Sequence, residues 1–124
     1  MNYAIVALGG GIGAALRYGV NVNAPKLFGA DYPWHTLIVN VVGCFVMGLL
    51  TELMALKLNV GQEWRLFMTT GILGGYTTFS AFSLDTVLLY ERGETAMAAL
   101  YVLASVALAI GGLFAGLALV RHFS

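Results

Sequence analysis

Four runs of mostly apolar residues, at about 3–22, 34–56, 64–90 and 95–120, occupy nearly all of a chain of 124 residues. Each can cross a bilayer as a helix, which takes roughly 20 apolar residues. The connections left over are a loop holding both prolines ("NAPKLFGADYP"), a short polar turn ("KLNVGQE") and a tighter one ("ERGE"). None has room for a soluble domain. Composition agrees: hydrophobic residues are 60%, charged residues 10%, and mean hydropathy is +0.86. Six acids and six bases cannot keep that much apolar surface in water. The expected fold is a single all-α domain, 1–124, an integral membrane protein of four transmembrane helices. The first run has the length of a signal h-region. It has no basic segment before it, and Arg17 lies inside it, so it reads as a retained span. Trp34, Trp64, Tyr90 and Tyr3 fall near the expected ends, as an aromatic belt requires.

Charge narrows the function. Net charge is zero, which gives no electrostatic basis for binding nucleic acid. The single Cys44 rules out an internal disulfide and reads as a small buried hydrophobe. With four spans, Lys57, Arg65 and Arg121 fall on the side of the termini, while Lys26 and Arg92 fall on the other, joined by Arg17 if it reaches that interface. The positive-inside bias is close to nil, so the chain can insert either way up. Four short spans cannot enclose a pathway alone, and an unbiased topology makes an antiparallel homodimer the natural assembly. Gly9 and Gly13, and Gly112 and Gly116, have the spacing that lets helix backbones approach closely. The run Gly9-x-Gly11-x-x-Ala14 loosely matches a dinucleotide fingerprint, but no strand–helix–strand unit surrounds it.

Polar residues inside spans are costly and become functional candidates. Thr36, Asn40 and Gly43 share a face of the second span, and Tyr101 and Ser105 stack in the fourth. Two readings stand for Asn40, an interhelical hydrogen bond or a ligand contact. For Ser105 the alternative is a bond to its own helix backbone. A row of hydroxyls and an amide offers donors without charge, which suits a small dehydrated anion better than a cation. The third span holds "GILGGYTTFSAFSLD", residues 71–85, with paired glycines, paired threonines, two serines and an aspartate. Glycine and threonine are weak helix formers. A break there would free backbone groups at membrane depth, which is tolerated only where they line a cavity or bind something. Phe79 and Phe82 lie three apart beside Ser80 and Ser83. Ring edges carry positive potential and could face an anion.

"GGYTTFSAFS", following a span with "TLIVNVVG" and a first helix with "GAALRYG", resembles the Fluc-type fluoride channels of the CrcB family over the whole chain. The resemblance implies a fluoride-selective channel in the bacterial inner membrane, not an enzyme, letting cytoplasmic fluoride leave passively. It implies an antiparallel dual-topology homodimer with two pores and a third helix broken at this motif. A structural sodium ion at the dimer centre would be held by backbone carbonyls of Gly74 and Thr77. Phe79 and Phe82 match the pore phenylalanines and Asn40 the donor asparagine. Ser80, Thr36, Tyr101 and Ser105 fall on the polar track, and Arg17 matches a vestibule arginine. Asp85 stands where a glutamate is usual, and Ala109 where a further serine is possible. The competing identity is a small multidrug-resistance exporter, which needs a glutamate in its first span; none is present here.

Overall fold

The computed structural model describes residues 2–29, 32–56 and 61–123. Helix α1 spans Asn2–Phe28, α2 Trp34–Leu56 and α6 Thr95–His122. The third span is segmented: α3 at Gln62–Arg65, a π-helical stretch π1 at Leu66–Leu73, α4 at Gly74–Tyr76 and α5 at Ser80–Glu91. Four helical runs are long and apolar enough to cross a membrane, and the described residues contain no strand. Lys57 and the turn that begins with it fall largely outside the described residues.

The first helix runs further than its apolar stretch suggests. Pro25, expected in a loop, sits within α1, which ends only at Phe28. Proline lacks the N–H that would pair with the carbonyl four residues back. Near the end of a helix that loss is small, and Asn23 adds a side-chain bond to the Gly19 carbonyl at 2.7 Å. Gly29 then stops the helix, with φ of 87° and its N–H on the Pro25 carbonyl at 2.9 Å. A left-handed glycine just past the last turn is the common stop signal.

Packing divides the chain into two layers of contact. Along one seam α1 lies against π1 and α4; along the other α2 lies against α6. Both seams rest on glycines. A Cβ on Gly75 would overlap the backbone of Gly10, and one on Gly116 would overlap that of Phe45. Without side chains there, dispersion contacts form between backbones, the main source of helix association in lipid. Gly9 and Gly13 face the third span and Gly116 faces α2, so these glycines serve contacts inside the chain. The second half of the third span, α5, packs on α6 instead. Leu37, Phe82, Leu89, Ala98 and Tyr101 form the buried cluster that holds it there. The third span therefore changes partners partway along, and the change falls where its helix stops. Large apolar side chains such as Leu8, Leu16, Leu103 and Phe114 point outward, as a lipid-facing surface needs.

Among the described residues, ion pairs lie near helix ends. Arg121 on α6 binds Glu52 on α2 at 2.7 Å, and Arg92 binds Glu94 at 3.0 Å in the turn before α6.

Candidate functional site: an interrupted helix beside a neutral cavity

Helical winding ends at Tyr76, and Thr77 is extended, with φ −79° and ψ 158°. Winding resumes at Ser80. The interruption is held in place by a residue from another helix. Asn40 Nδ2 donates to the Thr78 carbonyl at 2.9 Å, and the Thr78 N–H donates to Asn40 Oδ1 at 2.8 Å. One carboxamide thus replaces both backbone bonds that Thr78 would make in a helix. Of the two readings for Asn40, the interhelical hydrogen bond is present. The carboxamide's second N–H is the donor left for another partner. Gly43, one turn along α2, leaves space for Thr77: a Cβ there would overlap the Thr77 side chain.

The same interruption exposes carbonyls. In an unbroken helix the Thr78 N–H would serve the Gly74 carbonyl, and the Ala81 N–H that of Thr77. Here Thr78 N–H goes to Asn40, and Ala81 N–H to the Thr78 hydroxyl at 3.1 Å. The Gly74 and Thr77 carbonyls have lost their helical donors. Main-chain oxygens of that kind fit a hard cation such as sodium. No group of three His, Cys, Asp or Glu gathers among the described residues.

A pocket of about 290 Å³ opens beside the interruption. It is lined by Asn40 and Cys44 of α2, Ser105 and Ala109 of α6, and Thr77, Thr78, Phe79 and Phe82 at the interruption. Among the described residues no charged side chain lines it. The two phenylalanine rings are 5.5 Å apart and tilted by 48°. Phe82 is buried, whereas Phe79 is 77% exposed on a single chain. The Ser105 hydroxyl is buried and makes no hydrogen bond, so the expected alternative of a bond to its own helix is absent. Thr36 is likewise buried, within hydrogen-bonding reach of Tyr101 and outside the pocket lining. A buried hydroxyl left unpaired costs about 1–3 kcal/mol, so Ser105 marks a place where a partner would be stabilised.

Of the remaining candidates, Tyr101 is fully buried, with its ring 5.3 Å from that of Phe82. Its hydroxyl donates to Asp85 Oδ2 at 3.2 Å. Ser80 lies at the mouth of the interruption, its hydroxyl 3.3 Å from that of Thr78. Arg17 stands apart on α1, half-buried and outside the pocket lining. Sequence reasoning did not single out Thr78, although it carries the backbone exchange with Asn40. An asparagine in an otherwise apolar helix, facing a run of weak helix formers, was the available signal.

The sequence profile of CrcB-like protein, Camphor Resistance (CrcB), matches residues 4–117. The chain is 57% identical over 124 residues to "Fluoride-specific ion channel FluC 2" of Nitrobacter hamburgensis, covering all of both chains. It is 59% identical over 121 residues to "Fluoride-specific ion channel FluC" of Rhodopseudomonas palustris, covering 98% of each. The corresponding protein of Agrobacterium fabrum is 54% identical over 122 residues, again covering 98% of each. These relatives are named as channels, not enzymes. With its interrupted third span and neutral cavity, this chain is a member of the CrcB family.

Proposed function

We propose that this chain is a fluoride-selective channel that lets cytoplasmic fluoride leave through the inner membrane, and that it works as an antiparallel homodimer with two pores. The observation that carries the reading is the uncharged cavity at the interrupted helix. It combines an asparagine amide, an unpaired buried serine hydroxyl and two phenylalanine rings. A dehydrated anion needs donors, and a cation would find few acceptors there. Fluoride is the smallest halide and the strongest hydrogen-bond acceptor among them, so neutral donors at short range favour it over chloride. The relatives named as fluoride-specific channels agree.

In this reading Phe79 and Phe82 present ring edges to the ion, and Asn40 offers its remaining N–H. Ser80, Thr36, Tyr101 and Ser105 continue the polar track, while Arg17 draws anions towards a vestibule. The exposure of Phe79 on one chain is consistent with a ring that a second copy covers. The third helix is broken at membrane depth. Carbonyls of Gly74 and Thr77 from both copies would hold one structural sodium ion, which ties the dimer together. The driving force is the membrane potential, worth about 2.3 kcal/mol per 100 mV for one charge. No ATP site or proton carrier is required. An exporter built on a first-span carboxylate has nothing to use, because Arg17 and Lys26 are the charged residues of α1.

Purified protein in liposomes loaded with potassium fluoride, with valinomycin added, tests the function. Fluoride should leave within the time resolution of an electrode while chloride stays. Equal release of both ions, or none of either, would overturn the reading.

A further inference from the structure

We propose that a cleft at the start of the third span binds a phospholipid of the ethanolamine class, with its ammonium on the Glu63 carboxylate and an acyl chain along α1. Two cavities meet there. One, of about 350 Å³, is lined by Ile5 and Leu8 of α1 with Trp64 and Phe67, and Glu63 is its one charged lining residue. The other, of about 400 Å³, is lined by Asn2, Gly61 and Gln62, and again by Glu63 and Trp64. The two shared residues stand where a polar lining gives way to an apolar one. A phospholipid divides in the same way, with a polar head joined to its chains at the glycerol. Depth fits as well. The third span begins at Gln62, so Glu63 and Trp64 belong to its first turn, at the headgroup level where tryptophan collects. Trp64 is 62% exposed, and its ring stands edge-on to that of Phe67 with centroids 5.9 Å apart.

Charge selects the headgroup. Among the described residues Glu63 has no basic partner. Arg65, two residues on, donates instead to the Met54 carbonyl of α2 at 3.4 Å. An uncompensated carboxylate at this depth repels an anionic lipid such as phosphatidylglycerol and attracts an ammonium. A primary ammonium donates up to three hydrogen bonds; the quaternary ammonium of phosphatidylcholine donates none. The indole of Trp64 adds the attraction of a ring face for a cation. The side-chain amides of Asn2 and Gln62 offer N–H groups to the phosphate. Below them Ile5 and Leu8, three apart and so on one face of α1, carry the chain. The competing account is local: an acidic residue in a first turn also suits the helix dipole, which would leave the carboxylate indifferent to lipid.

The test uses phosphatidylcholine vesicles doped with lipids brominated on their chains, since bromine quenches tryptophan on contact. In a Trp34→Phe variant Trp64 is the sole tryptophan. Brominated phosphatidylethanolamine should quench it at about fivefold lower mole fraction than the brominated choline or glycerol lipid, the size of effect that one partly exposed ion pair provides. Glu63→Gln added to that variant should make the three lipids alike. A Trp64→Phe variant, reporting from Trp34 at the opposite end of the spans, should show no preference. Native mass spectra of the unmodified protein and of Glu63→Gln give a second reading without the tryptophan changes. Phosphatidylethanolamine should stay on the first at about fivefold lower concentration than on the second. Equal quenching and equal retention of the three lipids with Glu63 present would overturn the proposal. So would an ethanolamine preference that survives Glu63→Gln, which would place the ammonium elsewhere. Neither measurement needs an ion to cross the membrane, so failure of the channel reading and failure of this site are told apart.

Discussion

Asn40 carries two roles that pull apart under mutation. Its carboxamide braces the Thr78 backbone through both of its polar atoms, and it lines the pocket. Asn40→Asp keeps an acceptor for the Thr78 N–H but loses the donor to the Thr78 carbonyl. Leaving that carbonyl unpaired costs about 1–3 kcal/mol, and an ionised carboxylate in the pocket repels an anion. Fluoride efflux should fall by more than about tenfold, which needs only about 1.4 kcal/mol, and the melting temperature should fall with it. Unchanged efflux would remove Asn40 from the pathway. The two phenylalanines should also differ. Phe82 is buried against Tyr101, so Phe82→Ala should lower stability by about 3 kcal/mol or more. Phe79 is exposed on a single chain, so Phe79→Ala should leave the chain folded and lower flux. Thermal melting in detergent, run beside the efflux assay, separates the two. If both variants melt alike, the distinction between a ring packed within one chain and one exposed on it is wrong.

At the scale of elements, the interruption of the third span follows from a competition visible in the chain. "GGYTT" supplies poor helix formers, and Asn40 supplies alternative partners for the backbone they release. The weak run was legible from sequence. The partner was not, because it lies 38 residues away and depends on how α2 packs. The π-helical winding of Leu66–Leu73 was equally hidden, since apolar periodicity does not register so small a change of pitch. Close backbone approach falls on Gly75, where a Cβ would meet the backbone of Gly10, whereas a Cβ on Gly74 meets nothing nearer than 3.7 Å. Gly75→Ala should therefore destabilise the fold by about 1–3 kcal/mol, and Gly74→Ala should leave the single chain's packing intact. Size-exclusion profiles and melting curves compare the two, and equal effects would contradict the seam. If sodium is held by the Gly74 and Thr77 carbonyls of two copies, it binds only the assembled state and raises its stability by mass action. Exchanging sodium for N-methylglucamine should lower the melting temperature, by about 2.7 kcal/mol of stability where sodium had stood at a hundred times its dissociation constant. Indifference to that exchange would reject the site.

At the scale of the molecule, four spans and their order could be read directly, because apolar runs of bilayer length admit little else. The first helix was the exception at its edge, since Pro25 reads as a loop residue and yet lies inside α1. The proposed arrangement of two copies is argued from charge. Read from the sequence, three basic residues fall on each side once Arg17 is counted with Lys26 and Arg92, and among the described residues an arginine–glutamate pair lies at Arg92 and another at Arg121. So even a balance should be tipped by a small addition. A pair of lysines appended after Ser124 should hold the termini in the cytoplasm, and a pair placed in the first loop should do the reverse. Each variant alone should lose its inverted mate and fail to protect fluoride-sensitive cells; expressed together they should protect. Full protection by one variant, with uniform orientation verified by labelling, would exclude the antiparallel pair.

The exchange between Asn40 and Thr78 also has a temporal side. Ribosomes release the second span before the third, so the asparagine is already in the bilayer when residues 71–85 emerge. A nascent segment with open carbonyls and amides is poorly suited to lipid alone, and here it meets a waiting template. Span order in the gene is then part of the folding pathway: a permuted chain that delivers the third span first would present its interrupted backbone to the insertion machinery with nothing to receive it.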